Sequence, residues 1–366
     1  MKAALVFAGR TAAGTTFRPY RSRPFLATLA ASGIEPVVVD VDLGPDEPGP
    51  CTPVELAGLV GYHNAVDRLP LIVVQERVDV VQTFGATIDL APVWRHAARA
   101  ARPILHYVAS EGAIEDGSTP ASGLIDLARR GRGLPHVRAR RASRHVSALI
   151  GSNRADIGRH VRDGFFPRAR FSVVAPPPAP RPVSTNGPSP VLEQRLPVFG
   201  FHDPDADPER LDFLLRAVAL TGQTGLFALR IAPAVLAERI ALPPSVTAVD
   251  AVSPEAFLRD VDVLIVPRAD DRALAAVVAA LAARRSVVVP DTGAAAELVG
   301  YGRCGLLYAA GSAYELAMAL NVMAEAWTNR PFSFEGVDEA IARTAPEAVA
   351  AVFAAAWRRL PGRGDA

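Results

Sequence analysis

Two doubly wound α/β domains joined by a proline-rich connector form the fold class that this sequence predicts. Three observations predict it. Short continuous apolar runs alternate with alanine- and leucine-rich stretches along the chain; the alternation breaks at "FSVVAPPPAPRPVSTNGPSP" (171–190) and then resumes. At 366 residues the chain also exceeds one ordinary domain. Apolar runs without in–out alternation are what a parallel sheet needs when helices cover both of its faces.

The first series opens with "AALVFA" (3–8) as a strand, then a helix near 23–32 ending at Gly33, and "PVVVD" (36–40). "VDVVQTF" (78–84), a helix over 88–101, "PILHYV" (103–108) and "VSALIG" (146–151) complete it. Six prolines between 176 and 188 mark an extended connector rather than a packed element. The second series runs "LPVFGF" (196–201), a helix over 207–220, "LFALRIA" (226–232), "SVTAV" (245–249), "VDVLIVP" (261–267) and "SVVVP" (286–290). In "SPEAFLRD", Ser253 is a good N-cap, with Pro254 and Glu255 in the first turn. A closing helix over about 346–359 carries Val349, Val352, Phe353 and Ala356 on one face. The expected domains are 1–180 and 191–345, with 346–366 packing back on the first. Ligands of such sheets bind beyond the carboxyl ends of the strands, which points to an interdomain cleft.

Composition narrows the function. Half of the residues are hydrophobic, ample for two cores, and the net charge of +1 gives no global electrostatic case for nucleic acid. Cys51 and Cys304 make neither a disulfide framework nor a metal spacing, which suits a reducing cytoplasm. The apolar start is too short for a signal peptide, and the run Ala273–Ala283 falls well short of the ~20 residues that span a bilayer. No His/Cys/Asp cluster has ligand spacing, so neither metal nor other cofactor is expected.

The stretch 245–320 carries the informative pattern. It holds "SPEAFLRDVDVLIVPRADDRALAAVVAALAARRSVVVPDTGAAAELVGYGRCGLLY", which includes Asp262, Pro267, Val287–Val289, Gly293, Glu297 and Gly305. This order resembles the retaining GT-B glycosyltransferases (group 1, family 4-like), whose C-terminal domain runs through a capped helix, "aDvfvlPS", an E-x7-E helix and "PVVatdvGGxxE". "HVSALIGSNRADIGRHV" and "RFSVVAPPPAP" look like the end of that family's N-terminal domain. The resemblance implies a GT-B fold, a nucleotide-diphosphate sugar as donor and hexosyl transfer to a glycan, lipid-linked or small-molecule acceptor. It makes Asp271 and Glu111 the catalytic candidates. Arg210, Arg268, Asp270, Arg272, Gly293 and Glu297 become donor-binding candidates, and Gly14, Thr15 and Ser110 line the acceptor side.

The departures fall on the chemistry. The E-x7-E motif is degenerate: its first Glu is Asp271 and its second is Ala279, while "RAL" (272–274) replaces a small, glycine-containing loop. Gln82, Phe84 and Ala109 stand where relatives place site histidines, and Phe201 where a donor-phosphate arginine sits. Three readings stay open: an active transferase with a reworked donor pocket, a non-catalytic homologue acting as a binding or scaffold partner, and a nucleotide-sugar epimerase.

Other features have plainer accounts. The loop of Gly9 and Gly14 fits a strand-to-helix turn as well as a site, and Asp270 and Asp271 fit a helix cap. His106, inside an apolar strand, reads as a satisfied core histidine. Residues 129–170 hold twelve arginines against Asp156 and Asp163, a local charge of +10. This region fits either an arginine-biased surface or a peripheral contact with the inner face of a membrane.

Overall fold

The structure is a computed structural model. It describes residues 1–9, 18–42, 61–62, 66–87, 90–108, 134–179, 196–203, 207–222, 226–234, 242–243, 246–250, 254–267, 271–329 and 336–360. Two compact units emerge: Met1–Pro178 with Pro346–Ala366, and Ala179–Ala345.

The first unit holds β1 (Lys2–Gly9), α1 (Arg23–Ala31), β2 (Glu35–Asp42), β3 (Gly61–Tyr62), α2 (Leu69–Gln75), β4 (Val80–Phe84), α3 (Ala91–Arg99) and β5 (Ile104–Val108). It continues with α4 (Leu134–Ala142), a 3-10 turn Ser143–His145, β6 (Ala148–Gly151), α5 (Arg154–Arg162) and β7 (Ser172–Val174). The seven strands lie in the order β3-β2-β1-β4-β5-β6-β7, each neighbouring pair parallel. Strand β7 corrects the expectation that 171–190 begins as connector: Ile150 and Gly151 pair with Val173 and Val174 before the prolines end the ladder. Proline lacks the N–H that a further rung needs.

Alternation within β1 shows how the sheet is buried twice. Ala4, Val6 and Ala8 enter one apolar cluster, whereas Ala3, Leu5 and Phe7 enter the other. The first cluster is closed by Trp94, Phe165 and Phe166. The second is closed by α1 and by the final helix, whose Val349, Ala350, Phe353, Ala354, Ala356 and Trp357 are all buried. Tyr20, Phe84, Tyr107 and Phe353 pack there with ring centroids 4.8–6.3 Å apart. The Trp357 Nε1–H donates to Gln82 Oε1 at 3.2 Å, so the buried glutamine is partnered across 275 positions of chain. Each large aromatic buried in this way contributes about 1.5–3 kcal/mol.

The second unit contains β8 (Val198–His202), α6 (Pro208–Leu220), β9 (Ala228–Ala232), β10 (Val246–Ala248), α7 (Pro254–Phe257) and β11 (Val263–Ile265). After these come α8 (Asp271–Ala282), β12 (Ser286–Pro290), α9 (Gly293–Leu298), β13 (Leu306–Tyr308), α10 (Ala313–Asn329) and α11 (Val337–Thr344). Its sheet runs β10-β9-β8-β11-β12-β13, also parallel. Gly305, before β13, has a close-approach reason: an added Cβ would lie 2.5 Å from Val287 Cγ2 and 2.9 Å from the Val287 carbonyl oxygen. The chain then returns through α12 (Pro346–Arg358) to the first unit. Among the described residues no helix is long and apolar enough to cross a membrane.

A polar chain crosses the first core. His106 is fully buried, with Nδ1 3.2 Å from Thr83 Oγ1 and Nε2 3.2 Å from Thr87 Oγ1. Thr87 Oγ1 is also 3.2 Å from His160 Nε2, and His160 Nδ1 lies 2.9 Å from the Asp156 carbonyl. Trp94 Nε1–H donates to Thr83 Oγ1 at 3.1 Å. The Thr83 hydroxyl in turn donates to the Leu105 carbonyl at 3.1 Å. Burial, with the neighbouring His160 adding to it, lowers the His106 pKa to about 3.

The sign follows from that depression. Above pH 6.5 His106 is neutral in both states; between 6.5 and about 3 only the unfolded chain binds its proton. Stability of the first unit should therefore fall on acidification by about 1.4 kcal/mol per pH unit from this residue alone. Denaturant titrations between pH 7 and 5 should show that slope reduced by one proton in His106→Gln, and an unchanged slope would contradict it.

Candidate functional site

Sheet order locates the candidate site. In the second unit the strand order reverses between β8 and β11, and open α/β sheets bind ligands at the carboxyl edge of such a reversal. Phe201 pairs with Ile265, and Ile265 with Val288, so the ends of β8, β11 and β12 lie side by side. Three helices, α6, α8 and α9, follow these three strands. Their N-terminal N–H groups concentrate partial positive charge at one edge.

At the end of β8, Asp203 is 2% exposed and meets the start of α6. Its Oδ2 accepts the Asp207 N–H at 3.0 Å and its Oδ1 accepts Arg210 Nη1 at 2.9 Å. Asp207 caps α6 through the Glu209 N–H at 3.0 Å and lies 3.3 Å from Arg210 Nε. Arg210, a candidate cation for the donor phosphates, is thus held by two carboxylates, Asp203 after β8 and Asp207 at the N-cap of α6, and ties the two together. Asp203 escaped the sequence reading; the "DPER" cap signal was visible, but its tertiary partner was not.

At β11 and β12, the Tyr308 hydroxyl donates to the Val266 carbonyl at 3.1 Å, and the Asp291 N–H donates to the Tyr308 carbonyl at 2.8 Å. Asp291 Oδ1 accepts the Ala310 N–H at 3.1 Å. These bonds hold the two strand ends at fixed height. Gly293 opens α9 with φ of +72°, a conformation that a side chain resists. Glu297 sits half-buried on the same short helix.

Asp271 and Arg272 are the first two residues of α8, so both lie at the β11 edge. Ala279 is 6% exposed and packs among Leu274, Val277, Val278 and Leu281. The position that the sequence resemblance assigns to a second carboxylate therefore carries a methyl group in apolar surroundings. Gly14, Thr15, Ser110, Glu111, Arg268 and Asp270 lie outside the described residues. Among the described residues, no group of three His, Cys, Asp or Glu could hold a metal ion.

Comparison with known proteins gives this edge a context. Residues 198–325 match the family model described as "Glycosyl transferases group 1". Among solved structures, the sucrose-phosphate synthase of Thermosynechococcus elongatus superposes with a TM-score of 0.69 at 15% identity, covering 98% of each chain. The fold is GT-B. Anabaena HepE, solved in complex with UDP, gives a TM-score of 0.66 at 14% identity over 98% of this chain and all of the other. An α,α-trehalose-phosphate synthase (UDP-forming) from Burkholderia vietnamiensis gives 0.65 at 13% over the same shares. No curated protein sequence matches this chain. Within the GT-B frame, the matched segment begins at β8 and ends inside α10, so it contains the whole β8/β11/β12 edge.

Removing Arg210 should expose the cost of the clamp. Arg210→Ala leaves Asp203 buried with one bond donor fewer, and should destabilise the second unit by about 3 kcal/mol. Arg210→Ala combined with Asp203→Asn should recover part of that loss. Thermal or denaturant unfolding reads both, and a neutral single variant would refute the pairing.

Proposed function

We propose that this protein is a glycosyltransferase that moves a sugar from a nucleotide-diphosphate sugar to an acceptor. The observation that carries the reading is the family match over 198–325, coincident with the edge where three helix N-termini converge in a GT-B fold. HepE from Anabaena, which shares the fold, is solved with UDP-glucose, which supports a nucleotide sugar as the ligand class.

Glycosyl transfer must stabilise a departing diphosphate and an oxocarbenium-like sugar. Helix N-termini and cationic side chains can supply that charge without a metal. In this reading α8 and the Gly293 turn cradle the diphosphate, with Arg272 and Arg268 offsetting its charge. Asp271, Asp270 and Glu297 hold sugar hydroxyls. Glu111 serves the acceptor side with Ser110, Gly14 and Thr15, and the anomeric configuration is retained. The setting is cytoplasmic.

Thermal shift against a panel of nucleotide sugars and free nucleotides tests the reading, because a ligand at a hundred times its Kd adds about 2.7 kcal/mol of stability. One nucleotide class should stabilise the protein. Charged hydrogen bonds to phosphate are each worth ~1.5–3 kcal/mol. Arg272→Ala should accordingly weaken that binding by about tenfold or more, whereas Asp271→Ala should mainly blunt discrimination among sugars. Absence of stabilisation by any nucleotide, or unchanged behaviour of both variants, would remove the donor reading.

A further inference from the structure

The arginine-rich part of the first unit carries more than charge. Between residues 134 and 170 stand nine arginines against Asp156 and Asp163, which leaves seven positive charges in excess. Eight of the nine are exposed and Arg159, paired with Asp156, is half-buried. The structure brings several of them to one surface although they come from separate elements. Arg140 of α4 donates through Nε to the Gly164 carbonyl at 3.2 Å. The Phe166 N–H donates to Ser143 Oγ at 2.8 Å, which sets the turn that carries Arg144 against the loop that carries Arg168. Arg162 closes α5, and Arg359 stacks over the Phe171 ring at 4.2 Å.

The same loop walls an apolar cavity. It measures about 360 Å³ and is lined by Leu149, Ile157, Val161, Phe165, Phe166 and Phe171. At its rim Val161 is 50% exposed, and on α4 Val137 is 48% exposed, next to His136, whose ring meets Phe165 edge-on at 4.9 Å. Apolar side chains left in water inside a cationic surface match a partner that is anionic outside and hydrocarbon within.

We propose that α4, the Ser143–His145 turn and the 163–171 loop form a docking face for an anionic lipid bilayer, with the cavity receiving one acyl chain. Each arginine near an anionic leaflet is worth about 1 kcal/mol, so a handful suffices for peripheral attachment. Nucleic acid fits less well: Phe165 and Phe166 are 4% and 3% exposed and offer no face on which bases could stack. The inference concerns the first unit's surface and holds or fails independently of the donor reading.

The test is flotation of the full chain with phosphatidylcholine vesicles, with and without about a third of phosphatidylglycerol, at low and raised salt. The protein should float with the anionic vesicles alone, and less so as salt screens the charge. Arg144→Ala and Arg168→Ala should each lower the partition about fivefold. A Val161→Trp variant should gain fluorescence quenching, relative to the unmodified chain, by lipids brominated on the acyl chain. Circular dichroism controls for folding. Equal binding to neutral vesicles, or none to anionic ones at low salt, overturns the proposal. Binding to single-stranded DNA without flotation also overturns it, and anionic binding without acyl quenching removes the acyl-chain assignment.

Discussion

A parallel sheet exposes no face that can be left to water, and nearly everything else in this protein follows from that constraint. Both sheets carry apolar side chains above and below, so each demands two layers of cover, and the crossover helices supply them. The helices cannot be placed freely, because right-handed crossovers fix on which side each returns. Loops then collect at the carboxyl ends of the strands, and the reversal between β8 and β11 leaves one gap where they diverge. The candidate site is a by-product of how the sheet is covered.

Electrostatics divides the two units. At the β8 edge, charges are balanced pairwise: Arg210 against Asp203 and Asp207, with backbone N–H groups taking the remaining carboxylate capacity. On the α4–α5 side of the first unit, arginines outnumber acids and stand mostly in solvent. The first arrangement ties the end of β8 to the start of α6, and the second leaves its charge available to whatever approaches. Burial decides the difference: Asp203 is cut off from water and must have its cation, whereas eight of the nine arginines between 134 and 170 stand in solvent.

Much of the fold was legible because its strands are short apolar runs such as "AALVFA" and "SVVVP", whose double burial leaves no polar alternation to misread. The glycine turn was legible too: Gly293, after a buried strand and before a helix, has the positive φ that such a turn requires. β7 was hidden, because the prolines just after it dominate the local signal. So were α4 and α5, whose arginines look like surface while their apolar residues meet only in three dimensions. The polar chain from Thr83 to His160 joins residues 23, 19 and 73 positions apart, and no local pattern encodes it. Asp271 and Arg272 could be placed at a helix start from sequence, but which ligand atoms they meet depends on geometry that spacing does not carry.

The closing helix has a consequence for how the chain is made. One face of the first sheet rests on Phe353, Trp357 and their neighbours, and the side-chain oxygen of Gln82 in its fourth strand accepts its hydrogen bond from Trp357. During synthesis those residues leave the ribosome after the whole of Ala179–Ala345. The second unit, continuous in sequence, can reach its final packing first, while the older half of the chain waits with an uncovered apolar face. Until α12 has emerged, that face is a natural target for chaperones, and a message cut short before α12 yields a nascent first domain without its lid.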